Sequence, residues 1–340
     1  MTEIEAGTGR APGTVAPQSG QPALAVEGLE VAFPTREGAI RAVAGISYEI
    51  ARGRTLGVVG ESGCGKSVAA LAVLGLVPPP GRVTAGRIRL DGLDVTALDE
   101  AALAQVRGER VAMVFQEPMT ALNPVLTVGA QVAEAWALHR AGSRREARAA
   151  ALAMLDRVRI PEPARRYDSY PHELSGGMRQ RAMIAMALAC RPAVLIADEP
   201  TTALDVTIQA QILELMLEIQ AEFAMAIQFI SHNLGVVSGV ADEVMVMYAG
   251  RVVERAQATA LFARPRHPYT RALMETVPRI GAERDRLPAI SGAVPHPLAL
   301  PPGCPFSDRC PLADAGCREA EPPLADLGGG HLAACFKAEA

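Results

Sequence analysis

The feature that most restricts how this chain can fold is the run Gly60-Glu61-Ser62-Gly63-Cys64-Gly65-Lys66-Ser67. It fits G-x-x-x-x-G-K-[ST] and has the flanks that motif needs. Before it stands the short apolar run Thr55-Leu56-Gly57-Val58-Val59. After it, Lys66 to Val77 reads as a helix closed by Pro78-Pro79-Pro80. An apolar run of this length suits a strand buried on both faces. The glycines let backbone N–H groups converge on an anion with no Cβ in the way. The new helix aims the positive end of its dipole at the same point. Lys66 can reach the β- and γ-phosphates of a nucleotide, and the Ser67 hydroxyl can bind Mg²⁺.

A second motif answers the first. Asp198-Glu199 follow the apolar run Val194-Leu195-Ile196-Ala197. The C-terminal end of a buried parallel strand is where α/β sheets bind ligands. An acidic pair at a strand end is, taken alone, as consistent with an ordinary exposed loop. Beside a phosphate loop, Asp198 is placed to hold Mg²⁺ through water, and Glu199 to orient and polarise the attacking water as a general base.

The rest of the chain is organised around these motifs. Residues 1–22 are rich in Gly, Pro, Thr, Ala and Gln and predict a disordered tail. Strand-like patterns follow at Leu29–Phe33 and Ile46–Ile50, then at Val111–Phe115 and Ala226–Ile230, with a hairpin over 244–253 around Ala249-Gly250. Residues 127–160 and 178–190 read as helical, and Ile208, Ile212, Leu215 and Ile219 recur at helical spacing. Strands alternating with helices predict a mostly parallel α/β sheet. An inserted helical subdomain is expected at about 117–180, and the Pro-rich, irregular sequence past residue 278 suggests a separate C-terminal appendage.

Composition narrows the class. With 33 basic and 37 acidic residues among 340, a broad nucleic-acid-binding basic surface is not expected. No apolar stretch has the roughly 18–20 residues of a membrane span, and the N-terminus lacks the pattern of a secretory signal. The expectation is a cytosolic protein that reaches a membrane only through a partner. The six cysteines are then free thiols or metal ligands rather than disulfides.

The run Leu174-Ser175-Gly176-Gly177-Met178-Arg179-Gln180-Arg181, 23 residues before Asp198, resembles the signature of the ABC ATPase superfamily. Its physics repeats that of the phosphate loop: a hydroxyl, glycine N–H groups and a helix N-terminus form an anion site. The resemblance covers about 23–265 with no core motif missing, and it implies the P-loop ABC ATPase fold. That fold has a mostly parallel core sheet, an antiparallel β subdomain, the inserted helical subdomain and here a Cys-containing C-terminal extension, 266–340. By resemblance, Gly60, Ser62, Gly63, Cys64, Gly65, Lys66, Ser67 and Val68 hold the nucleotide's own phosphates. Ser175, Gly176 and Gly177 cap the γ-phosphate of the opposite subunit, so that two chains close head to tail around two ATP molecules.

Further positions carry over one by one. Phe33 resembles the aromatic that stacks on adenine; most members have Tyr, and Phe keeps the ring face. Gln116 matches the glutamine that touches Mg²⁺ and water and senses the transmembrane partner. Asp205 matches the loop that crosses the dimer interface. His232, 33 residues after Glu199, matches the histidine at the γ-phosphate. The resemblance therefore implies catalysis by Glu199, His232 and Gln116, with Mg²⁺ on Ser67, Gln116 and Asp198.

Gln116-Glu117-Pro118-Met119-Thr120-Ala121-Leu122-Asn123-Pro124, Arg266-His267-Pro268-Tyr269-Thr270 and Pro302-Gly303-Cys304-Pro305-Phe306 resemble the oligopeptide/dipeptide branch. That branch implies two permeases, a second ATPase subunit (a different chain or a copy) and an extracytoplasmic binding protein. The chain then sits peripherally at the cytoplasmic face of the inner membrane. Cargo in the branch includes peptides, nickel chelates, glutathione and oligosaccharides. Cys304, Cys310, Cys317 and Cys335 leave gaps of 5, 6 and 17 residues, not the short spacing of zinc ribbons. By resemblance they are expected to carry a [4Fe–4S] cluster, with zinc or no metal as the alternatives, while His331 is a weak alternative ligand that reads rather as a surface histidine. Cys64, at a helix N-terminus beside Lys66, is expected to favour the thiolate and to react with thiol reagents unless ATP protects it. Rival readings are a soluble ABC ATPase acting on ribosomes or DNA, and a metal-binding module that binds ATP without turnover.

Overall fold

A computed structural model of the protein describes residues 21–202, 204–276 and 290–338; the disordered tail expected over 1–22 falls, for 1–20, outside them. The chain opens with a hairpin, β1 (Leu24–Thr35) and β2 (Gly38–Ile50), then β3 (Thr55–Val59) and helix α1 (Lys66–Val73). Next come β4 (Arg82–Leu90), β5 (Leu93–Asp94), α2 (Glu100–Val106) and β6 (Val111–Val114). Five helices follow: α3 (Pro118–Ala121), α4 (Val128–Ala137), α5 (Arg144–Arg157), α6 (Pro163–Tyr167) and α7 (Gly176–Leu188). The core resumes with β7 (Val194–Asp198), α8 (Val206–Phe223), β8 (Ala226–Ile230), α9 (Leu234–Val240), β9 (Glu243–Tyr248) and β10 (Arg251–Gln257). It ends with α10 (Ala258–Ala263), α11 (Pro268–Glu275), α12 (Ala315–Glu319), β11 (Ala325–Asp326) and β12 (Leu332–Ala333).

Two sheets result. One is antiparallel, ordered β2-β1-β4-β5, and the other runs β11-β12-β10-β9-β3-β8-β7-β6. Within the second, β9, β3, β8, β7 and β6 are parallel. Every residue of β3, β7 and β8 is buried, as strands covered on both faces must be. Leu24, Leu29, Val31, Val43 and Ile46 of the antiparallel sheet share a core with α1 and the facing side of the parallel sheet. Helices α3 to α7 are inserted between β6 and β7, so these two strands stay adjacent while a helical layer grows out from one edge. No helix among the described residues is long and apolar enough to cross a membrane.

Local chemistry sets the boundaries. The helical pattern predicted over 127–160 is broken in two. Gly142 lies against the Trp136 ring, and Ser143 with Glu146 forms a reciprocal cap that starts α5. Helix α1 stops at Val73, before Pro78, because Gly75 turns into the left-handed region with φ 63°. The hairpin around Ala249-Gly250 forms with φ 46° and 80° at the two turn residues, matching the strand twist.

The C-terminal extension does not stand apart. Strand β12 pairs with β10, placing Ala333 opposite Glu254, and so widens the main sheet. Glu254 is fully buried and accepts hydrogen bonds from the Arg266 N–H (2.7 Å) and the His267 N–H (2.9 Å). Its carboxylate also meets His331 Nε2 at 2.7 Å. His331 is thus buried and paired, not the surface histidine expected, because β12 lies on top of Glu254. A buried carboxylate persists only when its oxygens are satisfied this fully.

His267, also buried, accepts at Nδ1 from the Tyr269 N–H (3.0 Å) and caps α11. Burial pulls its pKa down to about 4. The folded protein keeps this imidazole neutral while the unfolded chain protonates it near its ordinary 6.5. Stability from this group is therefore present above pH 6.5 and falls as pH drops toward 4, by roughly 3 kcal/mol at that limit. Denaturant unfolding followed across this window should show that loss. His267→Asn, which can still cap, should flatten the slope.

Candidate functional site

The phosphate loop leaves β3 and enters α1. Gly65 adopts φ 101°, and a Cβ there would stand 2.3 Å from the Ala42 carbonyl oxygen of β2. Only glycine permits both the conformation and the approach. The loop is tied to the β9–β10 turn as well, where the Gly250 N–H donates to the Cys64 carbonyl (3.0 Å). Lys66 is buried, and its ammonium donates to the carbonyls of Gly60 (2.7 Å) and Glu61 (3.0 Å). The ammonium is thereby aimed inside the loop. Ser62, Gly63 and Ser67 are exposed, and Val68 is partly buried against the core of the antiparallel sheet.

Strand β7 delivers the two carboxylates. Asp198 is buried, its carboxylate is hydrogen-bonded by Ser67, and its Oδ1 has no hydrogen-bond partner. Burial pushes its pKa up against the pull of that hydrogen bond and of Lys66. A buried oxygen without a partner beside a hydroxyl fits a hard divalent cation such as Mg²⁺, which supplies the missing positive charge.

Glu199 takes φ 47° and donates its N–H to the Ile230 carbonyl (2.9 Å), which turns its side chain away from the strand direction. Three groups converge on that carboxylate. Gln116 Nε2 donates to Oε2 at 3.0 Å, the Thr202 hydroxyl donates to the same oxygen at 3.1 Å, and His232 Nδ1 lies 3.0 Å from Oε1. Gln116, Glu199 and His232 come from the ends of β6, β7 and β8, neighbours in the sheet but distant in sequence. Thr202 was missed by the sequence reading, although its place three residues after Glu199 in a turn was available as a signal.

The remaining predicted positions lie on other elements. Ser175 caps α7, accepting from the Met178 N–H (3.3 Å). Gly176 and Gly177 neighbour Leu204 and Ile208 at the start of α8 rather than the phosphate loop, and a Cβ on Gly177 would meet Ile208 at 2.8 Å. Asp205 caps α8 through the Ile208 N–H (2.9 Å). The two helix N-termini thus sit side by side. Phe33 is half-buried, its ring against Gly81, where a Cβ would come within 2.3 Å.

Two expectations about thiols are corrected. Cys64 is buried, and burial pushes its thiol pKa up despite Lys66 and the helix N-terminus. Desolvation of the thiolate outweighs the nearby charge. Thiol reagents should therefore leave Cys64 unmodified in the folded protein, with or without ATP. Mass-spectrometric mapping of the labelled sites checks this.

The second correction concerns the cluster. Cys304, Cys310, Cys317 and Cys335 line one small pocket with His267 and Phe306. Yet among the described residues no group of three or more His, Cys, Asp or Glu side chains is disposed to hold a metal ion. All four are free thiols, and burial raises the pKa of Cys304, Cys310 and Cys335. The extension is stapled by apolar and polar packing instead of the expected [4Fe–4S] or zinc site.

Known proteins resemble this chain in sequence and in fold. The ABC transporter family model matches residues 43–202, and the model described as the oligopeptide/dipeptide transporter C-terminal region matches 253–317. A probable peptide ABC transporter ATP-binding protein of Sinorhizobium fredii is 53% identical over 316 residues, 92% of this chain and 94% of the relative. The dipeptide transport ATP-binding protein DppD of Escherichia coli is 49% identical over 312 residues, 92% and 95% of the two chains. The ATP-binding cassette MJ0796, solved as a dimer in a post-hydrolysis state with ADP and Pi, superposes with a TM-score of 0.63. It is 26% identical and covers 69% of this chain and 98% of that one.

Proposed function

The chain belongs to the ABC transporter family of ATPases, and from that premise we propose that it is the ATP-hydrolysing subunit of an importer of di- or oligopeptides. The cargo class rests on one observation above the others. Near-full-length similarity to peptide and dipeptide transport subunits extends into the C-terminal region, where the matching family model is that of oligopeptide and dipeptide transporters. In this reading 23–265 form the nucleotide-binding cassette, with its helical subdomain at about 117–180, and 266–340 form the extension.

Each residue then has a task. Backbone N–H groups of Gly60 to Ser67 and the Lys66 ammonium hold the β- and γ-phosphates, Val68 lines the same site, and Phe33 stacks on the adenine. Ser67, Asp198 and Gln116 hold Mg²⁺, which when bound neutralises phosphate charge and withdraws electron density from the γ-phosphorus. Glu199 accepts the proton of the attacking water, while Gln116 and Thr202 fix its Oε2 so that Oε1 faces the water. His232, with a side chain 61% exposed, moves from Glu199 to the γ-phosphate.

Ser175, Gly176, Gly177 and Asp205 lie on the surface that meets a second ATPase subunit, supplying the N–H groups and hydroxyl that complete the partner's site. ATP closes the two subunits, and loss of the γ-phosphate lets them open. Closure is passed to two membrane permeases, fed by an extracytoplasmic binding protein, and the chain works peripherally at the cytoplasmic face of the membrane.

The test is the ATPase rate of the complex purified from its own membranes, with and without peptide-loaded binding protein. Stimulation is expected. A rate indifferent to peptide, in a preparation that retains its permeases, would rule out peptide import.

A further inference from the structure

We propose that Arg309, in the C-terminal extension, is a positioning residue of the nucleotide site: through Glu61 it holds the entry of the phosphate loop in the form that accepts ATP. The proposal rests on ATP binding at Gly60 to Ser67.

Glu61 is the second residue of the loop, and the extension grips it twice. Arg309 Nη1 donates to Oε2 at 2.7 Å and Nη2 to Oε1 at 3.1 Å, a bidentate fork. The Arg309 side chain is only 4% exposed. Independently, the Glu61 backbone N–H donates to the buried Tyr269 hydroxyl at 2.8 Å. The Glu61 carbonyl, in turn, accepts from the Lys66 ammonium at 3.0 Å. A continuous chain of charge-assisted bonds therefore runs from the extension, through one loop residue, to the lysine that meets the phosphates.

The grip is rigid on the extension's side. Arg309 Nε donates to the Ser291 carbonyl (2.9 Å), and Nη1 also reaches the Tyr248 hydroxyl (3.3 Å). The rings of Tyr248, Tyr269 and Phe306 pack with centroids 4.7–5.4 Å apart beneath it. Tyr248 ends β9, immediately before the turn whose Gly250 N–H holds the Cys64 carbonyl. The same cluster thus borders the loop at Glu61 and, through that turn, at Cys64.

Charge gives the contact a purpose beyond packing. Glu61 places a carboxylate on a loop that must receive a polyanion. Paired with Arg309, that carboxylate is neutralised. Unpaired, it repels the triphosphate and frees the loop's first turn. Nucleotide affinity consequently depends on a docked extension, while the hydrolytic residues on β6, β7 and β8 do not touch Arg309.

The test uses the purified full chain and begins with ATP binding by the wild type; its absence would overturn the ATP-site reading and this proposal together. With binding established, Arg309→Gln should raise the KM for ATP about ten-fold with kcat changed less than about two-fold. Arg309→Lys should recover part of that loss, and adding Glu61→Gln to Arg309→Gln should also recover part of it, because the carboxylate left unpaired is removed. If Arg309→Gln does not fold, Arg309→Lys alone carries the test: it keeps the charge beside Glu61 but loses the two-point fork, so its KM for ATP should rise by about three-fold. An unchanged KM in the folded variant, or fully additive effects in the double variant, would overturn the proposal.

Discussion

Glu199→Gln should lower the steady-state ATPase rate by about 10²–10³-fold while ATP binding persists. The substitution keeps the side chain's size and its contacts. Gln116 Nε2 and the Thr202 hydroxyl, which donate to Oε2 (3.0 and 3.1 Å), can donate equally to an amide oxygen. What disappears is the capacity to take a proton from water. Lys66 and Ser67 are untouched, so the bound state should accumulate. Two subunits should then remain closed around unhydrolysed ATP, visible as an ATP-dependent dimer in size-exclusion chromatography beside a collapsed phosphate-release rate. An unaltered rate would move the general base elsewhere, because no second carboxylate stands in this set of neighbours: Asp198 is buried and faces Ser67.

The second large effect is expected at Gly65→Ala. The residue sits at φ 101°, which an alanine adopts only with strain, and its new methyl carbon would lie 2.3 Å from the Ala42 carbonyl oxygen. The obstacle is backbone on a paired strand, so the loop rather than β2 must move. Gly65 immediately precedes Lys66, and a displaced loop loses both the converging N–H groups and the aim of the ammonium. ATP affinity should fall more than about ten-fold, and unfolding stability by roughly 2–4 kcal/mol. Gly53→Ala is the matching control, since Gly53 also has a positive φ (66°) but nothing within 4 Å of its would-be Cβ. It should carry a small stability cost and leave ATP binding intact. Titration with a fluorescent ATP analogue, with denaturant melts of both variants, distinguishes the two.

Much of the site is legible in the amino-acid sequence. The apolar runs that became β3, β7 and β8 were recognisable because strands buried on both faces tolerate little else. The phosphate loop was recognisable because positive φ at Gly60, Gly63 and Gly65 leaves a glycine spacing few other structures need. Ser175 was legible as a helix start for a similar local reason, since it accepts a hydrogen bond from an N–H three residues on; Asp205, read only as part of a loop, caps α8 in the same way. By contrast, β4 carries an irregular pattern of exposure, and its pairing with β1 includes register shifts, so its period was hidden.

The thiols show where local reading failed. Cys64 has a helix N-terminus and a lysine beside it, yet burial governs its ionisation, and burial is set by β2 and the β9–β10 turn closing over the loop. The cysteines of the extension have a suggestive number and spacing, but the geometry of a site is a property of the packed segment.

The sequence by itself determined the buried strands β3, β7 and β8, the phosphate loop and the acidic pair Asp198-Glu199 at the end of β7, while Gln116 and His232 were reached only through the resemblance to a family. The strands and the loop follow from hydrophobic period and backbone conformation, which neighbours along the chain impose. The tertiary structure alone decided that Thr202 joins the Glu199 carboxylate, that Glu254 and His331 become a buried pair, and that Arg309 reaches Glu61 across 248 positions. Such pairings leave no period or spacing behind. They exist because a buried charge must find a partner, and the fold decides which one lies within reach.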